Sequence, residues 1–189
     1  ALEAGGIDYI DATCPFVARI HRAVGEKHEQ GYSIIIAGKN NHPEVVGING
    51  YCNNTASIVA DAAQAAGLNI NGKAFLVAQT TIMPEQFEGI AHALCANGID
   101  ITVMNTICNA TELRQKQARE LAPNCDVMVV IGGKHSSNTQ KLFEICKNEC
   151  KNAYLIESTD DVDIENLSHG DIIGIVAGAS TPQWSIREV

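Results

Sequence analysis

The sequence is poor in aromatic and basic residues, and it has no long hydrophobic run. Aromatic residues make up 5% of the 189 positions, and 13 Lys and Arg stand against 22 Asp and Glu, which gives a formal net charge of −9. A nucleic-acid-binding protein normally has a basic face, so we expect no nucleic-acid partner. The longest apolar runs, such as Val127–Ile131, have the length of a strand. We therefore expect no membrane span, which needs roughly 20 apolar residues.

Proline is scarce as well, with five residues, whereas seven cysteines are many for a chain of this size. Small secreted domains usually have an even number of cysteines in a loop-rich chain, and no basic-then-apolar leader opens this sequence. We therefore expect a cytoplasmic protein, in which cysteines are buried thiols, catalytic groups or metal ligands.

Short β-branched runs alternate with helix-length amphipathic segments along the whole chain. The expected strands are Tyr9–Asp11, Ser33–Ala37, Ala56–Val59, Ala74–Ala78, Ile101–Met104, Val127–Ile131, Ala153–Ile156 and Ile172–Val176. The expected helices are Pro15–Gln30, Pro43–Tyr51, Asp61–Ala66, Pro84–Ala96, Ala110–Leu121 and Thr139–Asn148. This alternation predicts an α/β fold with mainly parallel sheets that are covered by helices.

An internal repeat indicates two copies of one α/β unit. Cys14 follows one strand as Cys108 follows another, and three further pairs of segments match in the same order. These pairs are Ser33–Lys39 with Val127–Lys134, Ala56–Val59 with Ala153–Ile156, and Phe75–Thr81 with Gly174–Ser180. Four ordered matches predict a tandem of two similar domains, 15–104 and 105–189, each with a four-stranded sheet.

Both ends of the chain look interrupted. The opening Ala-Leu-Glu-Ala-Gly-Gly is typical of the end of a helix, and residues 1–14 read as the end of a preceding domain. The last segment, Pro182–Val189, starts like a helix and stops without a cap. We therefore expect this chain to be a piece of a longer protein.

Cys14 and Cys108 occupy equivalent places, between the carboxyl end of a strand and the start of the next helix. Ligands bind at this edge of open α/β sheets, and helix N-terminal N–H groups stabilise a thiolate there. Two thiolates related by the repeat suit an iron–sulfur cluster or a zinc ion. Two buried structural cysteines would also explain the pattern.

The loops that follow the two Gly-Lys sequences form a second candidate site. Gly132–Asn138 offers backbone amides, serine hydroxyls and an amide side chain at a helix start, which are groups that bind phosphate oxygens. The equivalent loop of the first copy adds the His42 imidazole and the Glu44 carboxyl, and a third pair of loops adds Thr80 and Ser180. These groups together predict a pocket for an anion with an acid beside it.

Each loop also has a simpler explanation when it is taken alone. Ser-Ser-Asn is a common helix N-cap, and His-x-Glu is usually a solvated loop. The His-x-Glu spacing would suit a zinc deaminase, but that fold needs a following Pro-Cys-x-x-Cys, and the sequence has no Cys-x-x-Cys.

Six motifs make the sequence resemble the hydroxymethylbutenyl diphosphate reductases, the LytB/IspH proteins, which catalyse the last step of the non-mevalonate pathway of isoprenoid biosynthesis. They are, in the family's order, Asp-Ala-Thr-Cys14-Pro, Gly-x-x-x-His42-Pro-Glu44, Gln79-Thr80-Thr81, Thr-Ile-Cys108-x-Ala-Thr, Ser136-Ser137-Asn138 and Ala-Gly-Ala-Ser180. The resemblance covers the whole chain, and His135, where relatives often have Asn, is a departure.

The resemblance implies a trefoil of three similar α/β domains, each of which gives one cysteine to a central 4Fe–4S cluster. This chain resembles the second and third domains, so Cys14 and Cys108 are the implied metal ligands, and the third cysteine is outside the chain. We expect the isolated piece to be inactive, with the cluster absent or degraded.

The family reaction removes the allylic hydroxyl of 4-hydroxy-3-methylbut-2-enyl diphosphate and gives isopentenyl and dimethylallyl diphosphate. By resemblance, Glu44 donates a proton to the leaving hydroxyl, and Thr80 binds that hydroxyl and orients it or relays protons. The residues implied to bind the diphosphate are His42, Ser136, Ser137, Asn138 and Ser180. A reduced ferredoxin- or flavodoxin-type protein is the implied electron donor.

Two other functions stay open at this point. The chain would be a non-catalytic module if Cys14 and Cys108 held zinc or if the loops only bound a diphosphate. It would be a purely structural α/β piece if it bound no ligand. Iron content and the visible absorption spectrum separate these cases, because an iron–sulfur cluster is brown and zinc is colourless.

Overall fold

A computed structural model describes residues 5, 6, 8–161 and 167–189. Its α-helices are α1 (Pro15–Glu29), α2 (Pro43–Gly50), α3 (Ala62–Ala66), α4 (Pro84–Ala96), α5 (Asn109–Leu121), α6 (Ser137–Glu149) and α7 (Gln183–Glu188). Its strands are β1 (Ser33–Ala37), β2 (Ser57–Val59), β3 (Lys73–Ala78), β4 (Asp100–Val103), β5 (Val127–Ile131), β6 (Asn152–Ile156) and β7 (Ile173–Ala177). Short 3-10 helices lie at Ala122–Asn124 and Thr159–Asp161. This α/β architecture confirms the predicted fold class.

The described residues form two compact units. The first comprises the chain up to Gln79 together with Ile90–Thr106, and the second comprises Thr80–Gly89 together with the chain from Ile107 onwards. The loop after β3 and the first turns of α4 therefore belong to the second unit. The division of the sequence into 1–14, 15–104 and 105–189 stays a prediction about the repeat.

The first unit has a four-stranded sheet in the order β2-β1-β3-β4, and all its strand pairs are parallel. Its central strand β1 is buried on both faces, since Ile34, Ile35 and Ile36 are each at most 3% exposed. Ile20 of α1 and Ile48 of α2 pack on one of these faces. All strands point the same way, so the loops at their carboxyl ends share one edge of this sheet.

The second unit has a three-stranded parallel sheet in the order β6-β5-β7, the same order as the first three strands of the other unit. Met128 and Val130 pack under α5 and α6, where Ala118 and Leu142 complete the core. On the opposite face of the sheet, Val129 and Ile131 of β5 pack with Ile156 of β6 and with Ile186 of α7. None of the described helices in either unit has the length and apolar character that crossing a bilayer requires.

Two sequence-based expectations about the strands were wrong. The second sheet contains three described strands instead of four, because none of the described segments pairs with it as the counterpart of β4. Tyr9–Asp11 is not a strand in this structure, because no described strand pairs with it, and Ile10 is 95% exposed. Residues 1–4, which read as the end of a helix, lie outside the described residues.

Candidate active site

Cys14 is the N-cap residue of α1, in the first unit. Pro15 occupies the first helical position, where its missing N–H costs nothing and its fixed φ favours the helix. The Cys14 side chain makes no capping hydrogen bond and is exposed. Its thiol is therefore available to a ligand at the N-terminus of the helix.

His42 and Glu44 stand together at the start of α2. His42 is the N-cap residue, and its Nδ1 accepts a hydrogen bond from the Glu44 backbone N–H at 3.3 Å. An Nδ1 that accepts leaves Nε2 as the protonated nitrogen of the neutral ring, so Nε2 is the atom that can donate to an anion. Both side chains are half-buried.

The turn between β1 and α2 depends on Gly38. A Cβ at this position would lie 2.9 Å from both the Gln79 Cβ and the Val45 Cγ2, which is closer than side chains allow. Gln79 is 2% exposed, and its Oε1 accepts the Lys39 backbone N–H at 3.2 Å. This close packing fixes the loop that leads into His42.

Cys108 is the N-cap residue of α5, in the second unit, and its thiol also makes no capping hydrogen bond. Its backbone N–H donates to the Thr80 carbonyl at 3.0 Å. The cysteine and the threonine are thus joined through the main chain, and Thr80 is 8% exposed. Thr81, the next residue, lies with its Oγ1 2.8 Å from the Ser137 Oγ.

The loop after β5 presents its polar groups at the start of α6. Ser136 is the N-cap, and its Oγ accepts the Thr139 backbone N–H at 3.4 Å. Asn138 is 5% exposed, and neither its Oδ1 nor its Nδ2 has a hydrogen-bond partner within the described part of the chain. A buried amide without partners is costly, so its presence at a helix N-terminus points to a ligand.

The third loop, after β7, supplies Ser180 and Thr181. Ser180 is exposed, whereas the Thr181 Oγ1 donates to the Ile131 carbonyl at 3.0 Å. Gly132 has φ +146°, and a Cβ there would lie 2.6 Å from the Thr181 Oγ1. Glycine is required at this position because both the backbone conformation and the space exclude a side chain.

The predicted site residues are divided between the two units. Cys14, His42 and Glu44 belong to the first unit, and the second contains the others, which are Thr80, Cys108, Ser136, Ser137, Asn138 and Ser180. Cys14 and Cys108 provide the kind of ligand that an iron–sulfur cluster binds, but a cluster needs more than two thiolates. Over the residues that the structure describes, no three His, Cys, Asp or Glu side chains gather as a metal site.

His21 and Gln115 are two buried polar residues that the motifs did not indicate. Both lie seven residues after a capping cysteine, on α1 and α5. Gln115 is fully buried, and neither polar atom of its side chain has a hydrogen-bond partner among the described residues. The His21 Nε2 is also buried and has no hydrogen-bond partner among these residues. The repeat contained the signal, since the two positions correspond when Cys14 is aligned with Cys108.

Comparison with known proteins gives a consistent result. The sequence matches the profile of the LytB protein family over residues 1–189. It is 49% identical over 188 residues to the 4-hydroxy-3-methylbut-2-enyl diphosphate reductase of Caldanaerobacter subterraneus and 48% identical over 182 residues to that of Clostridioides difficile. These matches cover 100% and 95% of this chain and 65% of each relative, so the chain spans about two thirds of their length.

Solved structures of such reductases are also similar. One, described as the terminal enzyme of the non-mevalonate pathway, is 41% identical with a TM-score of 0.64, covering all of this chain and 68% of its own. The Plasmodium falciparum reductase is 31% identical with a TM-score of 0.89, covering 98% of this chain and 59% of its own. The chain belongs to the LytB protein family.

Proposed function

We propose that this chain is the part of a 4-hydroxy-3-methylbut-2-enyl diphosphate reductase that supplies two cluster cysteines, the proton donor and most of the diphosphate-binding residues. The names of its relatives support the reaction, and the share of their length that it spans supports a larger whole. The reaction removes the allylic hydroxyl as water and consumes two electrons and two protons.

The observation that carries the proposal is the buried and unpaired side chain of Asn138. Its amide is buried at the N-terminus of α6 without a partner in the described structure, beside the hydroxyls of Ser136 and Ser137. Hydroxyls, an amide and a helix N-terminus bind phosphate oxygens. His42 adds an Nε2–H donor, and Ser180 adds an exposed hydroxyl. These five side chains are our candidates for binding the diphosphate.

Cys14 and Cys108 are the ligands that we assign to the cluster, with a third cysteine from outside this chain. When bound, a 4Fe–4S cluster supplies the electrons and a Lewis-acidic iron. Two thiolates are too few to hold a cluster against solvent and oxygen. We therefore expect this chain alone, purified in air, to contain far less than stoichiometric iron and to be inactive.

Glu44 is our candidate for the group that donates the proton to the leaving hydroxyl. Glu44 is half-buried in the first turn of α2, where the His42 cap fixes the backbone. Thr80 is assigned to hold the substrate hydroxyl or relay protons, because its backbone is tied to Cys108. General acid catalysis of this kind contributes about 10²–10⁴-fold to the rate.

The remaining partners follow from the reaction. Two electrons must be delivered, and a reduced ferredoxin- or flavodoxin-type protein is the proposed donor. All seven cysteines are free thiols, which is typical of a reducing compartment, so we propose a cytoplasmic location.

The experiment compares two variants of the intact protein that contains this chain. Glu44→Gln should lower kcat by about 10²–10⁴-fold and leave iron content and substrate Kd nearly unchanged. Asn138→Ala should weaken diphosphate binding by about two- to tenfold, the equivalent of one neutral hydrogen bond, and largely keep kcat. A Glu44→Gln protein with near-normal kcat would refute the assignment of the acid. Bound zinc in place of iron would favour a non-catalytic module.

A further inference from the structure

A buried glutamine of the first unit has no part in the reaction as described so far. Gln79 follows β3 and is 2% exposed, and its Oε1 accepts a hydrogen bond from the Lys39 backbone N–H at 3.2 Å. Its own backbone N–H donates to the carbonyl of Ala37, the last residue of β1, at 2.8 Å. Gln79 therefore lies at the corner where the chain leaves β1 for α2, and it is bonded to the main chain on both sides of Gly38.

A continuous series of hydrogen bonds leads from Gln79 to Glu44. Lys39, whose N–H donates to Gln79, accepts the His42 backbone N–H on its carbonyl at 3.0 Å. The His42 Nδ1 in turn accepts the Glu44 backbone N–H at 3.3 Å. All four residues belong to the first unit. The Gln79 carboxamide therefore holds the main chain of Glu44 through three successive hydrogen bonds.

Close packing confines this carboxamide. A Cβ on Gly38 would lie 2.9 Å from the Gln79 Cβ and 3.0 Å from its Oε1, so the glycine lets the glutamine side chain lie directly against the loop. A confined acceptor fixes the geometry of the loop that it bonds. This matters for a catalytic group, because a misplacement of about 1 Å can lower a rate by roughly 10²-fold.

The second unit holds the equivalent loop with a different group. Lys134, the counterpart of Lys39 in the repeat, donates its backbone N–H to the Glu157 Oε1 at 2.7 Å. Glu157 is an exposed residue that follows β6, and the counterpart of Gln79 in this unit is Gly178. Both units thus bond the same N–H of the loop to a side chain, but the first unit uses a buried and uncharged one. A hydrogen bond that recurs through unrelated side chains indicates that the loop must be held in place.

We propose that Gln79 is a positioning residue for Glu44, because its carboxamide fixes the loop from Lys39 to His42 and thereby the place from which the Glu44 carboxyl donates its proton. This inference rests on the proposed role of Glu44 as the acid. Gln79 acts through Lys39 and His42 and takes no part in the proton transfer itself.

The first test is residue-resolved amide hydrogen exchange in the intact protein, which needs no substrate. Relative to intrinsic rates, the Lys39 N–H should exchange roughly tenfold more slowly than the Asn40 N–H, which donates to no backbone group among the described residues. Gln79→Met keeps a similar side-chain volume but has only a weak acceptor, so exchange at Lys39 should become about two- to tenfold faster. Gln117→Met, which changes an exposed residue of α5, is the control and should leave the rate unchanged. Equal wild-type rates at Lys39 and Asn40, or an unchanged Lys39 rate in Gln79→Met, would overturn the proposal.

The second test is a double-mutant cycle on kcat in the intact protein, with Gln79→Met, Glu44→Gln and the two combined. Gln79→Met should lower kcat by about two- to tenfold at unchanged iron content. In the Glu44→Gln background it should change kcat by less than about twofold, because its effect passes through the carboxyl. A role in packing alone predicts the same factor in both backgrounds, and that result would overturn the proposal, as would a wild-type kcat in Gln79→Met. Absence of any reductase activity in the wild type would refute the proposed function, whereas normal activity with a rapidly exchanging Lys39 N–H would refute only the role of Gln79.

Discussion

The Thr81 hydroxyl lies 2.8 Å from the Ser137 hydroxyl, so the loop after β3 is joined to the first residue of α6 within the second unit. The preceding residue, Thr80, is held through its carbonyl by the Cys108 N–H. These two hydrogen bonds connect three of the four segments of this unit that carry proposed reductase residues, the fourth being the loop with Ser180. The loop that contains Thr80 is therefore fixed on both sides.

We predict that Thr81→Val lowers the free energy of unfolding of this chain by about 0.5–1.5 kcal/mol, because the hydroxyl pair is lost. Urea denaturation followed by circular dichroism measures the effect. Thr102→Val is the control, since Thr102 is exposed on β4. Equal unfolding free energies for Thr81→Val and the wild type would show that the hydrogen bond contributes nothing to stability.

Asn138→Leu should raise the stability of the chain and weaken its binding of diphosphate. Leucine of similar shape relieves the cost of an unpaired buried amide, which is about 1–3 kcal/mol. The same change should weaken the binding of inorganic diphosphate, measured by calorimetry on the intact protein. Asn97→Leu is the matched control, because the Asn97 Nδ2 donates to the Leu68 carbonyl at 2.7 Å, so this variant should lose stability. Similar losses for both variants would mean that Asn138 has a structural partner.

The neighbouring glycines of the β5–α6 loop should respond differently to alanine. Gly132→Ala should lower the free energy of unfolding by about 1–3 kcal/mol, because φ is +146° and the new Cβ would collide with Thr181 and Thr139. Gly133→Ala should change it by less than about 0.5 kcal/mol, since the nearest atom to its Cβ is 3.8 Å away. Thermal unfolding of the two variants side by side distinguishes them, and equal melting temperatures would contradict the geometry.

The seven thiols should differ in reactivity in the folded chain. Burial raises the pKa of Cys146 to about 11, so roughly one thiol in a thousand is ionised there at pH 8. Cys14 is exposed at a helix N-terminus. Iodoacetamide labelling followed by peptide mass spectrometry should modify Cys14 well before Cys146, and the difference should vanish in denaturant. Equal rates in the folded chain would contradict the burial of Cys146.

The sequence alone could predict the elements because each follows from local rules. Prolines mark the starts of α1, α2 and α4, and β-branched runs such as Ile34–Ile36 are long enough only for strands. The prediction of a strand at Tyr9–Asp11 was wrong because a strand also needs a neighbouring strand to pair with. The composition of a segment does not contain that information. The fourth strand of the second sheet was expected only from the repeat, and no described segment forms a counterpart of β4.

The residues of the candidate site could be predicted from the sequence, but the hydrogen bonds between their loops could not. The motifs indicated Thr80, Cys108 and Asn138, whereas the hydrogen bonds that join their loops are formed between residues that are distant in the sequence. His21 escaped notice because a single histidine on an amphipathic helix reads as surface or core. Its unpaired Nε2 and its charge neighbours appear only once α1 packs on α2.

The most direct test of the proposed function is anaerobic product formation by the intact protein that contains this chain, supplied with a chemical reductant and 4-hydroxy-3-methylbut-2-enyl diphosphate. We compare the wild type, Cys108→Ser and Cys95→Ser, the last being an exposed cysteine outside the proposed site. The account predicts isopentenyl and dimethylallyl diphosphate from the wild type and from Cys95→Ser, and loss of both iron and product in Cys108→Ser. A wild-type protein that forms neither product, or a Cys108→Ser protein that forms them at the normal rate, would contradict it.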